Sequence, residues 1–242
     1  MGIVTDNLSF TYGKKRALNK VNLSLTSGFN VLLGPNGAGK STLFSLLTGL
    51  RQTTHGSIEI NNKDLHKHKS EIMSQMGVVF QQSTLDLDLS VKQNLFYYAS
   101  LHGIAPKKAL QNIELILRQL SLTERLNDKV RTLNGGHRRR VEIARALIHQ
   151  PKILLLDEAT VGLDVDSRLL IISYVRNLCI QHNICALWTT HLMDEVEADD
   201  QLIIINNGEI QAQAKSSELY KKYNVDDTHQ LYFSLTKNTE AV

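Results

Sequence analysis

The sequence predicts an α/β protein with a mostly parallel central sheet. Short apolar runs typical of strands alternate with segments whose apolar residues recur every three or four positions, as in helices. A glycine-rich turn joins one of these strands directly to a helix, and polar residues follow the other strands. Since strands of a parallel sheet are covered on both faces, runs such as KILLL and QLIII are expected in its interior.

The length and charge of the chain limit the classes of function. Its 242 residues predict one large domain, covering residues 1–242, by the prior of about 150 residues per domain. With 27 Lys and Arg against 24 Asp and Glu, the net charge is only +3, too small to indicate a nucleic-acid or membrane-surface partner. Cys179 and Cys185 lie in apolar runs without a CxxC spacing, which favours core thiols over zinc ligands or a disulfide.

The sequence also predicts a soluble, cytoplasmic protein. Its N-terminus lacks a basic region followed by an apolar stretch, as a secretory signal would have. No apolar run reaches the roughly 18 to 20 residues that a helix needs to cross a bilayer.

The first 33 residues alternate apolar and polar side chains, which predicts short strands separated by turns at Tyr12-Gly13 and Ser27-Gly28. The apolar strand FNVLL is followed by a glycine-rich loop. The helix TLFSLLTGL comes next, and Gly49 is a typical helix stop.

Residues 82–150 have a mainly helical pattern, and we expect them to form an inserted helical subdomain. Ser90 is a typical N-cap, Pro106 is placed for a first helical turn, and ALQNIELILRQL has apolar residues at helical spacing. A further helix is predicted after Gly135-Gly136.

The chain then alternates again. The runs KILLLD, NICALWTT and QLIII predict strands, whereas DSRLLIISYVRNLCI and HLMDEVEADD predict helices. Asn207-Gly208 is typical of a hairpin turn. Residues from about 215 to 242 form a more polar tail without a functional motif.

The stretch GPNGAGKST matches the phosphate-binding pattern GxxxxGK[ST] and lies between a strand and a helix, as that pattern requires. Glycines allow backbone N–H groups to turn toward phosphate oxygens, with the positive end of the helix behind them. We expect Lys40 to contact the β- and γ-phosphates and Ser41 to ligate magnesium. A glycine-rich turn without a ligand is the weaker alternative. The predicted nucleotide-binding residues of this loop are Gly34, Pro35, Asn36, Gly37, Ala38, Gly39, Lys40, Ser41 and Thr42.

Two carboxylates, Asp157 and Glu158, follow the apolar strand KILLL. Charges next to so much aliphatic surface are expected where a strand leaves the sheet and faces a metal-bound nucleotide. Asp157 is predicted to help hold magnesium through its water shell, and Glu158 to activate or position the attacking water. An exposed acidic pair without a function is the alternative.

His191 and Gln81 each follow a predicted strand, CALWTT and MGVVF respectively. Because catalytic groups collect at the carboxyl ends of parallel strands, His191 is expected near the γ-phosphate and the attacking water. Gln81 offers a neutral oxygen to magnesium or its water. A structural histidine and a glutamine without a role in catalysis are the alternatives.

The stretch LNGGHRRRVEIARAL suggests either a nucleic-acid patch or an anion site. Arg138 and Glu142 are expected to pair four residues apart on a helix, which partly neutralises the arginines. No aromatic residues are interleaved with them for stacking on bases. Asn134 can cap the helix, and the two glycines leave their N–H groups open, so the pattern favours phosphate and excludes a nucleic-acid partner.

These motifs, in this order and spacing, resemble those of the ATP-binding cassette family, the nucleotide-binding subunits of ABC transporters, over about residues 3–214. The resemblance implies a P-loop NTPase (RecA-like) core with an N-terminal antiparallel β subdomain and an inserted α-helical subdomain. It also implies ATP and Mg²⁺ as cofactors. The implied catalytic residues are Glu158, His191, Lys40 and Gln81, and the implied metal ligands are Ser41, Gln81 and Asp157.

The stretch LNGGH is similar to the LSGGQ signature of that family. This likeness implies a head-to-tail dimer in which the signature of one protomer contacts the γ-phosphate bound by the other; the signature residues are Asn134, Gly135, Gly136 and His137. The resemblance further implies that Tyr12 stacks on adenine, Asp164 lies at the dimer seam and His191 is the switch histidine. Gln81 would couple to a membrane partner. The implied partners are a second ATPase subunit, identical in a homodimer, and an integral membrane permease, with the protein peripheral on the inner face of the cell membrane.

Four residues depart from the family pattern. Asn134 replaces serine and His137 replaces glutamine in the signature, while Ala159 replaces proline and Val161 a small polar residue. An asparagine amide can still donate to a phosphate oxygen and cap a helix. His137 adds a titratable group near an anionic nucleotide, so turnover is expected to depend on pH.

Two stretches, FQQSTLDLDLSVKQNL and GGHRRRVEIARAL, resemble those of export-type cassettes. Such cassettes serve multidrug, polyketide or ABC-2-type permeases. LNGGHRRR also resembles cassettes associated with pyrroloquinoline-quinone-dependent alcohol dehydrogenase systems. We therefore expect an ATP-hydrolysing subunit that powers export through a separate permease. One alternative is a soluble cassette ATPase acting on a protein scaffold, as in iron–sulfur assembly. The other is a catalytically weak ATP-dependent assembly module.

Overall fold

The computed structural model describes residues 2–236 of the chain. Within these residues the strands are β1 (Gly2–Tyr12), β2 (Lys15–Thr26), β3 (Gly28–Leu33), β4 (His55–Ile60), β5 (Lys63–Asp64), β6 (Met76–Val79), β7 (Ile153–Asp157), β8 (Cys185–Thr190), β9 (Gln201–Asn206) and β10 (Glu209–Lys215). The helices are α1 (Lys40–Leu47), α2 (Lys69–Met73), α3 (Val91–Leu101), α4 (Pro106–Gln119), α5 (Gly135–Leu147), α6 (Val165–His182), α7 (Ser216–Tyr223) and α8 (Thr228–Thr236).

The chain divides into two compact units. The first unit consists of Met1–Ile72 together with Cys185–Val242, and the second unit consists of Met73–Ile184. The predicted helical segment 82–150 lies within the second unit.

An antiparallel sheet with the strand order β2-β1-β4-β5 lies in the first unit. Its first two strands contain 11 and 12 residues, longer than the short strands expected from the sequence. Alternate residues of β2, such as Val21, Leu23 and Leu25, are buried while their neighbours are exposed. This period of two is what a strand with one face on the core requires.

The first unit also contains the strands that lead to the predicted phosphate loop. Strand β3 pairs in parallel with both β8 and β9, and β10 pairs antiparallel with β9. The hairpin turn predicted at Asn207-Gly208 is confirmed, with φ values of 49° and 78°. Such left-handed conformations suit the two central residues of a tight hairpin turn.

The second unit pairs β6 with β7 in parallel and adds helices α3 to α6. The predicted caps are confirmed. Ser90 accepts from the N–H of Gln93 and forms a capping box with it, and Pro106 is the first residue of α4. Helix α4 buries Ala109, Ile113 and Leu117, which are spaced by four residues and lie on one face.

One expectation about the C-terminal part of the chain is wrong. HLMDEVEADD is not a helix but contains a single 3-10 turn, Met193–Glu195. The indole N–H of Trp188 donates to Glu195 at 2.9 Å, and the Asp200 carboxylate accepts from the N–H of Glu197 at 2.7 Å. These bonds stabilise a turn conformation in place of a helix.

The polar tail contains α7 and α8, which the sequence pattern did not predict. Leu219 and Leu231 are buried, and the hydroxyl groups of Tyr220 and Thr228 lie 2.7 Å apart. The predicted tail beyond residue 236 lies outside the described residues.

Candidate nucleotide-binding site

The phosphate loop follows β3 and ends at the start of α1. Gly39 is the N-cap of α1 with a φ of 111°, and no side chain in the described part of the chain caps the helix. A Cβ atom at Gly39 would lie 2.8 Å from the Leu18 side chain and 2.9 Å from the carbonyl oxygen of Ala17, so only glycine fits. A helix that begins without a side-chain cap presents its first N–H groups to an anion.

Lys40 adds a positive charge to this loop. Its side chain is buried, with 4% of the residue exposed, and its ammonium donates to the carbonyl oxygens of Gly34 at 2.7 Å and Pro35 at 3.1 Å. An ammonium group that is removed from water in this way interacts strongly with an incoming anion. The loop and Lys40 together therefore fit a polyphosphate.

His191 lies next to the beginning of the same loop. Leu33, the last residue of β3, is in register with Thr190, the last residue of β8. The N–H of Gly34 donates to the carbonyl oxygen of Thr190 at 3.3 Å. The parallel pairing thus brings the residues that follow both strands to one edge of the sheet, as predicted.

Tyr12 presents an aromatic ring at the surface of the first unit. It is 41% exposed and packs edge-on against Phe10, with ring centroids 4.9 Å apart. The guanidinium of Arg51 lies 4.8 Å from the centre of the Tyr12 ring, a cation–π distance. Sequence reasoning missed Arg51, because it is 39 residues from Tyr12 and belongs to no motif.

In the second unit, β7 ends at the predicted pair of carboxylates. Asp157 and Glu158 are each 6% exposed, so the alternative of a solvent-exposed acidic pair is wrong. The amide Nε2 of Gln81 donates to Oε2 of Glu158 at 3.1 Å. Val79 and Leu156 are in register in β6 and β7, which places Gln81 and Glu158 at equivalent positions beyond the two strands.

Glu158 has a backbone conformation that is uncommon for a residue with a side chain. Its φ is 45°, in the left-handed region, which costs on the order of 1 kcal/mol or more for a residue other than glycine. Residues that precede a proline are restricted to extended conformations. Ala159, where the family pattern has proline, is therefore compatible with the left-handed Glu158.

Asn134 is the N-cap of α5, as predicted. Its Oδ1 accepts from the backbone N–H of His137 at 2.8 Å and lies 2.8 Å from Nδ1 of the same residue. Partial burial, followed by the charges of Arg140 and Arg125, lowers the pKa of His137. This shift opposes the positive charge that the sequence suggested for the signature.

The expected pairing of Arg138 with Glu142 is wrong. Arg138 donates to the carbonyl oxygens of Val130 at 3.1 Å and Arg131 at 2.7 Å, whereas Glu142 forms a 2.7 Å ion pair with Arg139. The reason is burial. Glu142 is 2% exposed and faces the interior of the second unit together with Arg139, while Arg138 lies beside the preceding turn.

Asp164 caps helix α6. Its Oδ1 accepts from the N–H of Ser167 at 2.8 Å, and this backbone bond, with the Ser167 hydroxyl, lowers the pKa of the Asp164 carboxyl. Asp164 therefore has a local structural role that does not depend on a second protomer.

The predicted site residues fall into two groups. Tyr12, the loop 34–42 and His191 lie in the first unit, whereas Gln81, Asp157, Glu158, the signature 134–137 and Asp164 lie in the second. Ser41 of the first unit offers a hydroxyl oxygen, and Asp157 and Gln81 of the second unit offer a carboxylate and an amide oxygen. Each of these donors is a hard oxygen ligand of the type that Mg²⁺ prefers, so the chemistry of the residues fits this ion. No helix between residues 2 and 236 is both long and apolar enough to span a membrane.

Comparison with known proteins identifies relatives along nearly the whole chain. The family model for ABC transporters matches residues 18–161. The linearmycin resistance ATP-binding protein LnrL of Bacillus subtilis (strain 168) is 35% identical over 231 residues, which cover 95% of this chain and 74% of that protein.

Two further relatives differ in the direction of transport that their names give. The Nod factor export ATP-binding protein I of Ralstonia nicotianae is 35% identical, over 88% of this chain and 67% of that protein. The sulfate/thiosulfate import ATP-binding protein CysA of Synechocystis sp. is 34% identical, over 91% of this chain. The chain spans only 62% of that import protein.

Solved structures share the fold. The structure of an ATP-binding subunit of an ABC transporter superposes with a TM-score of 0.87 at 24% identity, over 98% of this chain and 100% of that one. A dimeric ATP-binding cassette in a post-hydrolysis state, bound to ADP and Pi, has a TM-score of 0.79 at 26% identity, over 88% of this chain and 98% of that one.

The predicted fold class is confirmed. From its motifs, its family match and its relatives, the chain belongs to the ABC transporter family, as an ATP-binding cassette of the kind that hydrolyses ATP.

Proposed function

We propose that this ATP-binding subunit hydrolyses ATP between two copies of itself and uses that reaction to drive export through a separate membrane permease. The observation that carries the proposal is the buried Glu158 carboxylate, which accepts a hydrogen bond from Gln81 just beyond β7. A buried carboxylate that is oriented by a neutral amide is suited to accept a proton from water.

ATP is bound by residues of the phosphate loop and by Tyr12. Tyr12 stacks on adenine, the backbone N–H groups of residues 34–42 donate to phosphate oxygens, and Lys40 contacts the β- and γ-phosphates. Ser41, Gln81 and Asp157 would hold magnesium, directly or through water. When bound, Mg²⁺ neutralises charge on the phosphate oxygens.

Glu158 orients and deprotonates the attacking water, and Gln81 orients Glu158. His191 donates to the γ-phosphate as charge accumulates on it. Each of these groups lies just after the end of a strand, where side chains are held by the sheet and not by a long loop. This arrangement supports positioning and electrostatic stabilisation, which are the main contributions of a protein to phosphoryl transfer.

The second copy completes each site. Asn134, Gly135, Gly136 and His137 contact the γ-phosphate bound by the partner, and Asp164 lies at the dimer seam. ATP then favours the closed dimer, because only that state makes both sets of contacts. A solved cassette with the same fold is a dimer bound to ADP and Pi, which supports this part of the proposal.

The permease is an integral membrane protein that holds the subunit on the inner, cytoplasmic face of the cell membrane. Relatives named for linearmycin resistance and Nod factor export support the export direction, although a related protein is named for import. The association with pyrroloquinoline-quinone-dependent alcohol dehydrogenase systems, suggested by LNGGHRRR, stays a prediction.

The test of hydrolysis compares wild-type protein with Glu158→Gln. We expect Glu158→Gln to lower steady-state phosphate release by about 100-fold or more, the range over which a general base contributes, while ATP still binds. Glu124→Gln is the matched control, because Glu124 is an exposed acidic residue of the same unit. Equal rates for wild type and Glu158→Gln would remove the role given to Glu158.

The protein that binds this subunit distinguishes a transport function from the two alternative functions. Purification of the subunit from detergent-solubilised membranes should recover a protein with several membrane spans. A soluble scaffold complex in its place would favour the iron–sulfur type of function. Phosphate release near background in the wild-type protein would favour a catalytically weak assembly module.

A further inference from the structure

The guanidinium of Arg139 joins helix α5 to the loop that follows β6. One of its nitrogens donates to the carbonyl oxygen of Phe80 at 2.6 Å and to Glu142 at 2.7 Å, and the other donates to the carbonyl oxygen of Gln81 at 2.9 Å. Arg139 is only 8% exposed. Because a guanidinium presents its donors in a rigid fork, these bonds define both the position and the orientation of the backbone at residues 80 and 81.

Glu142 extends this connection along the same loop. Its second carboxylate oxygen accepts from the backbone N–H of Thr84 at 3.1 Å, and the residue is 2% exposed. Arg145, three residues further along α5, donates to the carbonyl oxygen of Thr84 at 2.9 Å. Residues spaced by three on a helix lie on one face, so a single face of α5 binds the segment 80–84.

The segment held by α5 is the one that contacts Glu158. The backbone carbonyl of Gln81 accepts from Arg139, and the side chain of the same residue donates to Glu158 at 3.1 Å. Helix α5 begins at Gly135, in the signature, four residues before Arg139. A chain of two hydrogen-bonded steps therefore leads from the signature helix to the buried carboxylate.

We infer that Arg139 and Glu142 are positioning residues for hydrolysis, which hold Gln81 against Glu158 and so link the start of α5 to the carboxylate that acts on water. The inference rests on the proposed function of Glu158 and adds the residues through which the signature helix acts on it. Arg139 and Glu142 act through Gln81 and not on the reacting atoms.

The variant Arg139→Lys tests this role without removing the buried charge. Lysine still pairs with Glu142, so the chain is expected to fold, but an ammonium cannot reproduce the fork between two carbonyl groups. We expect the kcat for ATP hydrolysis to fall about tenfold while the KM for ATP changes by less than about twofold.

A double-mutant cycle with Gln81→Ala separates positioning from general damage. If Arg139 acts through Gln81, Arg139→Lys should lower kcat by less than about twofold in the Gln81→Ala background. Arg138→Lys is the matched control, because Arg138 also donates to two backbone carbonyl groups, but these belong to Val130 and Arg131. If Arg139→Lys lowered kcat by the same factor in the wild-type and Gln81→Ala backgrounds, the inference would be overturned.

Amide hydrogen exchange provides a readout that does not need turnover. Peptides covering residues 80–86 of the nucleotide-free protein should exchange faster in Arg139→Lys than in wild type, and at the wild-type rate in Arg138→Lys. Unchanged exchange in Arg139→Lys would overturn the inference. A wild-type protein without phosphate release would refute the proposed function instead, and the exchange result would still decide whether Arg139 holds the loop.

Discussion

Gly135 and Gly136 are adjacent in the signature but have different surroundings. A Cβ atom at Gly136 would lie 2.5 Å from the hydroxyl oxygen and 3.0 Å from the Cβ of Ser167. At Gly135, apart from adjacent residues and the backbone of the helix itself, the only described atom within 4 Å of an added Cβ is a methyl carbon of Leu163, at 3.6 Å. The packing of α5 on α6 thus requires glycine at position 136, whereas glycine at position 135 is not required by the fold.

The two glycines are therefore predicted to respond differently to alanine. Gly136→Ala should lower the free energy of unfolding by about 1 to 3 kcal/mol through overpacking, and Gly135→Ala should change it by less than about 1 kcal/mol. Urea unfolding measures both. Adding Ser167→Ala to Gly136→Ala should restore part of the lost free energy of unfolding. Equal stabilities of Gly136→Ala and Gly135→Ala would contradict the packing described.

At the scale of single residues, the sequence predicted contacts that are local and missed those that are distant. The N-caps Asn134 and Ser90 each bond to a residue three positions further along, and both were predicted. The Gln81 to Glu158 bond joins residues 77 apart, and only their positions after two strands were predicted. The pairing of Glu142 was predicted wrongly, because helical spacing alone does not distinguish Arg138 from the more buried Arg139.

Helix α3 shows how a few side-chain bonds define an element. The Ser90 hydroxyl accepts from the N–H of Gln93 at 3.1 Å, and the Gln93 amide oxygen accepts from the N–H of Ser90 at 2.8 Å. Two N–H groups that the first turn leaves without helical partners are satisfied in this way.

Removal of this cap should destabilise the protein. Ser90→Ala is expected to lower the free energy of unfolding by about 1 kcal/mol, the usual value for an N-cap. Ser100→Ala is the control within the same helix, because the Ser100 hydroxyl only donates to a carbonyl group one turn earlier. Denaturant unfolding measures the free energy of unfolding of both variants. An equal loss of stability in Ser90→Ala and Ser100→Ala would argue against a stabilising role of the cap.

Elements with strong periodicity were predicted, and those defined by tertiary contacts were not. The buried strand β7 and the glycine loop before α1 follow from local pattern. The segment after His191 has the composition of a helix, but the buried bond from Trp188 to Glu195 holds it in a turn. Polar residues in the tail concealed α7 and α8, whose buried residues are few.

At the scale of the whole molecule, a partly buried histidine connects stability to pH. Nε2 of His149 lies 3.2 Å from the carbonyl oxygen of Met76, and its Nδ1 atom is buried without a hydrogen-bond partner among residues 2–236. Its ring stacks on His102 at 4.0 Å, and the neighbouring Tyr98 lies under the guanidinium of Arg145. Burial, followed by the charge of His102, lowers the pKa of His149 to about 4.

This shift predicts a loss of stability in acid. The unfolded chain binds a proton near pH 6.5, before the folded protein does, so the stabilisation is complete above that pH and is lost as the pH falls toward 4. Between pH 7 and pH 5 the loss from His149 should be about 2 kcal/mol, and the lowered pKa values of His102 and His137 act in the same direction.

Urea unfolding as a function of pH measures this effect. In His149→Gln the free energy of unfolding should depend less steeply on pH than in wild type. The control His66→Gln, at an exposed position, should keep the wild-type dependence. Parallel curves for wild type and His149→Gln would show that His149 is not the group responsible.

The fold class was predictable because phosphate loop, buried strands and helical patterns follow one another in a recognisable order. The sequence did not predict which residues of the second unit bind the loop after β6, since these contacts arise when α5 packs beside β6. A dimer is a further level of organisation, in which we propose that the signature of one copy contacts the ATP bound by another.

Light scattering of Glu158→Gln with saturating magnesium ATP tests that claim most directly. We predict that its mass doubles on addition of ATP, and that adding Gly135→Asp, a position where the fold tolerates a side chain, keeps the protein monomeric because the carboxylate repels the partner's triphosphate. A Glu158→Gln protein that remains monomeric, or a double variant that dimerises equally well, would contradict the account.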